Sequence, residues 1–440
     1  MIRLLLVFAA AASLGATTVR AQSVADSIHS DLPGLMAIYR DLHANPELSF
    51  QEVRTAGIMA HAAREAGFEV TENVGKTGVV AVLRNGPGAT VLIRADMDGL
   101  PVTEQTGLPF ASKKRGISPA GVESGIMHAC GHDTHMTAWI ETARLLSARR
   151  EQWSGTLVMI AQPAEEMGLG SRAMLADGLY SRFPKPDYAL AFHDTPELPS
   201  GVIGATPGWA LANVDSVDIE VKGVGGHGAY PHRTKDPVVL ASAIVLRLQT
   251  LASREVDPLD PVVVTVGSFH SGTRHNIISD GAKLQLTVRS YSDETRSQLL
   301  DGIRRIVRGE AIAAGLPEGL MPQVTVKDPY TRSTFNSPEF TQSVVADLKE
   351  TMGEGRVVLT PSVMAGEDFG EFRRADEDHV QSLIFWVGGT PAEVLEAARS
   401  EGRSLPSLHS PFWAPEADKV VAGGAQALTL TAMRLLAKEQ

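Results

Sequence analysis

Short apolar runs that alternate with amphipathic stretches constrain the fold of the first half of the chain most strongly. Four runs have the composition of buried strands: 79–83, 90–95, 157–161 and 188–192. Between them, residues 134–149 and 171–179 have the spacing of helices. Buried strands separated by helices are typical of an α/β layer with a mainly parallel sheet. The sequence therefore predicts an α/β fold for this region.

A different pattern begins near residue 209. Val217, Ile219 and Val221 alternate with polar residues, as in a half-buried strand, and a glycine-rich turn follows. The next segments read in order as helix, strand, strand, helix and strand: 236–253, 262–267, 283–290, 293–314 and 324–326. This β-α-β-β-α-β order is ferredoxin-like. We predict that residues 209–327 form an α+β domain inserted into a larger domain made of residues 22–208 and 328–440, since a further buried strand follows at 383–387.

Composition excludes some partners. The chain has 440 residues, with 40 Lys and Arg against 51 Asp and Glu, which gives a net charge of −11. This length favours two or more packed units. Because the chain is acidic and has no dense basic cluster, the sequence argues against nucleic acid as a partner.

The N-terminus has the pattern of a secretory signal peptide. Arg3 provides a positive charge, residues 4–12 are apolar, and Val19-Arg20-Ala21 forms a small-residue cleavage site. The apolar run is too short to span a bilayer. We expect residues 1–21 to be a signal peptide and the mature protein to be exported, periplasmic or secreted.

Cys130 is the single cysteine, so the chain forms no internal disulfide, although disulfides form readily outside the cytoplasm. A lone thiol of this kind is an interchain partner, an inert buried side chain, or a reactive or metal-binding group. The cysteine count alone leaves these alternatives open.

Groups that bind cations follow several of the predicted strands. Asp96 and Asp98 follow one strand, Glu165 and Glu166 follow another, and His193 follows a third, while residues 128–135 contain a Cys and three His. Each pair alone is explained better by a solvated turn. Ligands of open α/β sheets gather at the carboxyl ends of strands, so the groups together indicate a metal site. Thiolate and imidazole suit zinc, and carboxylates also accept manganese or cobalt.

Five segments resemble the M20 metallopeptidases: 94–101, 127–135, 162–166, 226–232 and 408–411. The resemblance is strongest to the amidohydrolase branch that contains hippurate hydrolases, N-acetyl-diaminopimelate deacetylases and auxin-conjugate hydrolases. It covers nearly all the mature chain. It implies a zinc-exopeptidase-like catalytic domain and an inserted domain that acts as a lid and in dimerisation.

The resemblance also implies roles for residues of the larger domain. Two divalent ions, of manganese, zinc or cobalt, would be held by Cys130, His132, Glu166, His193 and His409. Glu165 would be the general base for a metal-bridged hydroxide, and Asp98 would orient a metal-bound imidazole. Asp96, Asp133 and His135 belong to the same motifs, but helix capping or packing explains them equally well.

In the inserted domain the resemblance points to three residues. His227 would reach the active site of a neighbouring subunit and bind the substrate carbonyl oxygen, which implies a homodimer. Asn276 and Arg289 would hold the α-carboxylate of the substrate, for which the forked guanidinium is suited. The alternatives are a surface turn for His227 and a charge on the strand face for Arg289.

These assignments predict hydrolysis of the amide bond of N-acyl amino acids or of short peptides with a free carboxylate. One alternative is an exported metallocarboxypeptidase or dipeptidase, and another is a non-catalytic metal-binding or peptide-binding protein. The sequence departs from the branch at Ser279, at Gly366 and at residues 412–415, where Phe-Trp-Ala-Pro replaces a more acidic continuation after His409.

Overall fold

The computed structural model describes the backbone of residues 2–118 and 121–438, with side chains from residue 22 onward. Residues 1–21, where a signal peptide is predicted, thus lie outside the residues whose side chains are described. Among the described residues, none of the helices has the combined length and apolarity needed to cross a membrane.

The helices of the described chain are α1 (Ile2–Ala44), α2 (Val53–Glu65), α3 (His132–Ala148), α4 (Gly170–Ala176), α5 (Leu179–Arg182), α6 (Pro237–Thr250), α7 (Asp293–Ala313), α8 (Pro338–Met352), α9 (Gly370–Arg374), α10 (Ala392–Glu401) and α11 (Ala417–Leu435). The first strands are β1 (Glu69–Val74), β2 (Gly78–Asn85), β3 (Thr90–Asp96), β4 (Arg115–Ile117), β5 (Glu123–Gly125), β6 (Gly155–Gln162), β7 (Tyr188–Pro199), β8 (Ile203–Ala205) and β9 (Gly208–Leu211). The remaining strands are β10 (Asn213–Lys222), β11 (Gly226–His227), β12 (Val263–Ser271), β13 (Ile277–Ile278), β14 (Gly281–Ser290), β15 (Gln323–Val326), β16 (Thr334–Asn336), β17 (Val357–Leu359) and β18 (Gln381–Thr390).

The chain divides into two compact units. Unit 1 contains Met1–Ala210, Phe335–Pro361 and Asp368–Gln440, and unit 2 contains Leu211–Thr334 and Ser362–Glu367. The sequence places the first boundary at residue 209, close to the division at Leu211. It places the return to the larger domain at residue 328, whereas unit 2 extends to Thr334.

Unit 1 is built on an eight-stranded sheet in the order β1-β2-β6-β3-β7-β18-β8-β17. The central strands β6, β3, β7 and β18 are parallel to one another, while β1, β2 and β8 add antiparallel pairs. β3 and β6 are buried over almost their whole length, as strands covered on both faces must be. Trp139, Phe192 and Phe385 lie in the core of this unit. The prediction of an α/β fold with a mainly parallel sheet is confirmed.

Unit 2 contains a four-stranded antiparallel sheet in the order β12-β14-β10-β15. Val217, Ile219 and Val221 of β10 point to its apolar core, to which α6 and α7 also contribute. Both helices begin at a side-chain cap: Asp236 accepts hydrogen bonds from Val238 N and Val239 N before α6, and Ser292 plays this role before α7. Along the chain these elements follow one another as β-α-β-β-α-β.

Candidate metal centre and active site

The topology of unit 1 brings the candidate metal ligands together at the carboxyl ends of its parallel strands. β3 ends at Asp96, β6 ends shortly before Glu165, and β7 carries His193. β3 is parallel to both β6 and β7, so the carboxyl ends of these three strands lie on the same side of the sheet. α3 begins at His132, directly after Cys130 and the left-handed Gly131. The sheet therefore places the residues where ligands of open α/β folds bind.

Cys130 lies at the centre of the candidate ligands. Its Sγ is 3.4 Å from Nε2 of His193 and 3.2 Å from Nε2 of His409. The same Nε2 of His409 is 3.4 Å from Oε2 of Glu166. His132 approaches from the helix, with its Nε2 3.9 Å from Oε1 of Glu166.

Donor atoms form two groups that share this thiol. Cys130, His132 and His193 form one group, and Cys130, Glu166 and His409 form the other, with all donor atoms of a group within 4.8 Å of one another. The structure thus brings together all five residues that the sequence analysis names as ligands. The Cys130 thiol belongs to both groups, so it would help to hold an ion bound at either one.

Two atoms of this cluster show that it suits a cation. Nε2 of His132 and Oε1 of Glu166 are buried, and neither has a hydrogen-bond partner among the described residues. Leaving such an atom unsatisfied costs about 1–3 kcal/mol, so an ion bound there would remove a real penalty. Thiolate, imidazole and carboxylate donors fit zinc, and the carboxylate also fits manganese or cobalt. The residues present therefore fit a divalent metal.

Burial controls protonation in this cluster. Burial raises the pKa of the Cys130 thiol well above its usual value and raises the pKa of Glu166 to about 8. Burial lowers the pKa of His132, but the carboxylate of Asp96 and a hydrogen bond to Asp98 outweigh it, so the pKa lies well above the usual value. A dication in contact with these atoms favours the thiolate, the carboxylate and the neutral imidazole, which are the forms that bind metal.

Hydrogen bonds fix the tautomers of the two buried histidine ligands. Nδ1 of His132 lies 2.8 Å from the backbone oxygen of Asp98, and Nδ1 of His193 lies 2.7 Å from that of Asp194. A carbonyl oxygen only accepts, so each Nδ1 carries the proton and each Nε2 keeps its lone pair. Both rings are thereby prepared to bind a metal through Nε2.

Asp98 also holds the turn that carries the two glutamates. Its carboxylate accepts hydrogen bonds from the backbone N of Glu165 at 3.0 Å and of Glu166 at 3.1 Å. It accepts a third from Oγ of Ser49 at 2.6 Å. Asp98 thus orients the imidazole of His132 through its backbone oxygen, while its carboxylate positions the turn.

Glu165 lies beside the cluster and is almost fully buried. Its Oε2 is 3.9 Å from Nε2 of His132. The preceding residue, Ala164, has a left-handed conformation with φ of 49°, and its backbone N donates to the buried Glu52 at 2.9 Å. The backbone N of Ala164 and the backbone N of Glu165 are both held by hydrogen bonds. The side chains of Glu165 and Glu166 therefore approach the same cluster from different positions.

The remaining motif residues are occupied by other contacts. Nδ1 of His135 is 2.7 Å from Asp96, and its Nε2 accepts the backbone N–H of Asp194 at 3.0 Å, so neither ring nitrogen is available to an ion. Asp96 also receives a guanidinium N–H of Arg94 at 2.5 Å. Asp133 contacts Nδ1 of His43 at 2.6 Å. For these residues the packing interpretation fits better than a ligand role.

In unit 2, two of the predicted site residues lie side by side. His227 in β11 pairs with Ile277 in β13, and Gly228 N donates to the backbone oxygen of Asn276 at 2.9 Å. Both His227 and Asn276 are exposed. Nδ1 of His227 accepts the backbone N–H of Ala229 at 3.0 Å, so the neutral ring carries its proton on Nε2.

Arg289 lies elsewhere in unit 2. It is half-buried on β14, and its guanidinium donates to the backbone oxygen of Met364. Residues 223–228 and 276–280 leave the sheet at the Gly281 end of β14, where Lys222 pairs with Gly281. Arg289 lies eight residues along the strand from Gly281, a distance of about 26 Å at the usual rise. Arg289 therefore lies at the opposite end of β14 from the point where the segments that carry His227 and Asn276 leave the sheet.

Several supporting residues have no counterpart among the predicted site residues. Ser49 and Glu52 lie outside the resembling segments, yet they hold Asp98 and Ala164. No local signal marks Ser49 or Glu52, because both contacts join segments far apart in the chain. Trp413 donates from Nε1 to Oδ2 of Asp194, a contact between segments more than 200 residues apart that no local pattern reveals.

A mostly parallel sheet with thiolate, imidazole and carboxylate donors at the carboxyl ends of its strands defines the protein as an α/β metallohydrolase. Comparison with known proteins gives the family. The family model described as peptidase family M20/M25/M40 matches residues 92–401, and the chain belongs to this family. It is therefore a hydrolase, and the resemblance noted in the sequence is confirmed.

Two relatives and one solved structure illustrate the similarity. A hippurate hydrolase of Campylobacter jejuni is 38% identical over 337 residues, which cover 76% of this chain and 84% of the relative. The thermostable carboxypeptidase 2 of Saccharolobus solfataricus is 38% identical over 342 residues, or 77% of this chain and 82% of the relative. A crystal structure of a Bacillus subtilis protein, described as a dinuclear metal-binding peptidase of the M20 family, has 30% identity and a TM-score of 0.72, and the match covers 93% of this chain and 99% of that one.

Proposed function

We propose that the protein hydrolyses the amide bond of N-acyl amino acids or short peptides that have a free carboxylate. Two divalent ions would be held by Cys130, His132, Glu166, His193 and His409. The observation that carries the proposal is the pair of donor groups that share Cys130, with the carboxylate of Glu165 beside them. When bound, the ions would acidify water, polarise the amide carbonyl and stabilise negative charge on its oxygen.

Glu165 is the proposed general base. Its carboxylate would accept a proton from the attacking water and deliver that proton to the leaving amine. Two features support this role: its burial, and the hydrogen bond from its own backbone N to Asp98, which fixes its place in the turn. Since Glu166 of the same turn lies next to His409, the two adjacent carboxylates have different neighbours and different roles.

His227 is the proposed hydrogen-bond donor to the carbonyl oxygen. The contact from Ala229 leaves the proton on Nε2, where it would be donated as charge develops on that oxygen. Asn276, its neighbour in unit 2, and Arg289 are proposed to bind the substrate carboxylate.

The spacing within unit 2 supports action as a homodimer. A dipeptide spans only about 7 Å when extended. Arg289 lies about 26 Å along its strand from Gly281, the end where the segments that carry His227 and Asn276 leave the sheet, and this separation favours contact with one small substrate from two different subunits. If Arg289 and His227 contact the same substrate, the two residues come from different subunits.

The named relatives support both forms of substrate. The name hippurate hydrolase supports an N-acyl amino acid, whereas the name carboxypeptidase supports a peptide. The peptide reading, an exported metallocarboxypeptidase or dipeptidase, is therefore the second candidate function.

We also propose that residues 1–21 direct export. Determining the N-terminus of the mature protein after cell fractionation tests this proposal, and an uncleaved cytoplasmic chain would contradict it.

A substrate panel with defined metal content tests the proposed function. The mature protein is stripped by a chelator, reloaded with manganese, zinc or cobalt, and assayed for release of free amino acid from N-acyl amino acids and dipeptides. We expect release with at least one metal and none from the stripped protein. Stoichiometric metal binding without turnover of any panel member would instead favour a non-catalytic binding protein. The rate on dipeptides relative to N-acyl amino acids decides between the two candidate functions.

A further inference from the structure

Trp413 makes a contact that the proposed chemistry does not use. It is 4% exposed and lies in the loop that follows His409. Its Nε1 donates a hydrogen bond of 3.1 Å to Oδ2 of Asp194, the residue after His193. The indole ring is also held closely, because a Cβ at Gly389 would lie 3.1 Å from it. Trp413 therefore joins the loop of one candidate ligand to the neighbour of another.

Asp194 lies directly against the candidate ligands. Its Oδ1 is 3.3 Å from Nδ1 of His193. Its carboxyl group also packs on Gly131, where an added Cβ would lie 2.4 Å from the carboxyl carbon and both oxygens. Gly131 separates Cys130 from His132 and has φ of 75°. One buried carboxylate thus touches the backbone between two ligands and the imidazole of a third.

The hydrogen bond from Trp413 fixes how this carboxylate is turned. Oδ2 is engaged by the indole N–H, while Oδ1 is buried and has no hydrogen-bond partner among the described residues. With Oδ2 held, Oδ1 stays beside Nδ1 of His193, where its negative charge makes the imidazole a more basic ligand. Without the indole N–H, the buried carboxylate of Asp194 would lose a hydrogen-bond donor and would turn toward a different donor.

We infer that Trp413 is a positioning residue that sets the metal affinity of the Cys130 site, acting through Asp194 on His193 and through its own loop on His409. This inference rests on the ligand set of the proposed function. It concerns a position where the sequence departs from the more acidic pattern of the resembling branch. Trp413 touches no proposed reacting atom and is not a catalytic residue.

Titration of the metal-free protein with Co²⁺ tests the inference without relying on activity. Absorption from thiolate-to-cobalt charge transfer reports binding at Cys130, and the titration gives the affinity. Trp413→Phe keeps an aromatic ring and removes the N–H. Since the loss of an outer hydrogen-bond partner typically lowers metal affinity by about 10-fold to 100-fold, we expect a reduction in this range.

Trp153→Phe is the matched control. Trp153 is fully buried, and its Nε1 donates to the backbone oxygen of Leu146 at 2.9 Å. It lies just before β6, at the opposite end of that strand from Glu165. This variant also loses one buried indole N–H, so it reports the effect of destabilisation alone. We expect its cobalt affinity and absorption to match those of the wild type.

A double-mutant cycle tests whether Trp413 acts through Asp194. In an Asp194→Ala background, Trp413→Phe should lower cobalt affinity much less than in the wild type, because the acceptor is already gone. Unchanged affinity in Trp413→Phe, or equal loss in Trp413→Phe and Trp153→Phe, would overturn the inference while leaving the ligand set intact. A wild-type protein that binds cobalt without thiolate absorption would instead overturn the ligand set.

Discussion

The two units of the chain present their candidate functional residues in opposite ways. In unit 1 Glu165 and the proposed ligands other than the exposed His409 are packed at the end of a buried sheet, and hydrogen bonds that Asp98 and Asp194 accept fix the orientation of His132, His193 and Glu165. In unit 2, His227 and Asn276 are exposed on a two-stranded ribbon. The chemistry of unit 1 is therefore prepared by the fold, whereas the residues of unit 2 require a further surface to act on.

The energetic reason for the difference is the cost of burying charge. A thiolate, two imidazoles and two carboxylates are stable together in a buried cluster only if cations and hydrogen bonds compensate them. Such compensation demands fixed geometry. A histidine and an amide on an exposed ribbon carry no such cost, so they do not need the same support before substrate binds.

The largest expected effect is at the prepared site of unit 1. Glu165→Gln removes the proposed base but keeps the size of the side chain, and we expect kcat to fall by about 10²–10⁴-fold. Metal content should stay unchanged, because Glu165 is not a proposed ligand. The exposed Glu151→Gln serves as the control and should retain wild-type kcat. Activity of Glu165→Gln close to the wild-type level would show that another group accepts the proton.

His227→Ala tests the claim that unit 2 requires a partner. Loss of one donor to a developing oxyanion costs about 10²–10³-fold in kcat. A heterodimer of His227→Ala and Glu165→Gln chains, isolated with two different tags, should recover about half the wild-type rate, because one of its two sites then has both residues intact. A heterodimer as inactive as both parents would show that each chain uses its own His227.

Arg289→Lys should have a smaller effect that is confined to binding. The lysine keeps the charge but loses the forked geometry, and a hydrogen bond to a charged group is worth about 1.5–3 kcal/mol, so KM should rise roughly 10-fold or more. The matched control is the substrate in which the carboxylate is converted to an amide: its turnover should be the same in variant and wild type. An equal loss on both substrates would mean that Arg289 supports the fold through Met364 instead.

Sequence patterns predict unit 1 best where function and fold coincide. The ligand residues lie at strand ends and a helix start, so periodicity and residue type together locate them. The edge strand β1 is partly polar, while β8 and β17 have only three residues each, so only their pairing partners make them strands. Support from Ser49, Glu52 and Trp413 depends on contacts across the fold that residue order does not encode.

Unit 1 also contains a buried carboxylate that lies away from the candidate metal ligands and has no hydrogen-bond partner among the described residues. Both carboxylate oxygens of Glu141, on α3, are buried without a hydrogen-bond partner in the described part of the chain. Burial, assisted by the charge of Asp31, raises the pKa of Glu141 to about 7 from its usual 4.5. Unlike His132 on the same helix, Glu141 belongs to none of the donor groups described above. We therefore expect the buried carboxylate of Glu141 to lower the free energy of unfolding.

The sign of this cost follows from the raised pKa. Below pH 4.5 Glu141 is protonated in both the folded and the unfolded state, and as the pH rises toward 7 the unfolded state loses its proton first, so the free energy of unfolding falls. Glu141→Met removes the charge at similar volume. It should raise the free energy of unfolding by about 1–3 kcal/mol above pH 7 and by little at pH 4.5. Denaturant unfolding of both proteins in the presence of a chelator, with Glu151→Gln as control, separates this effect from metal loss. If Glu141→Met is less stable than the wild type at pH 8, Glu141 makes an interaction that stabilises the fold by more than its burial destabilises it.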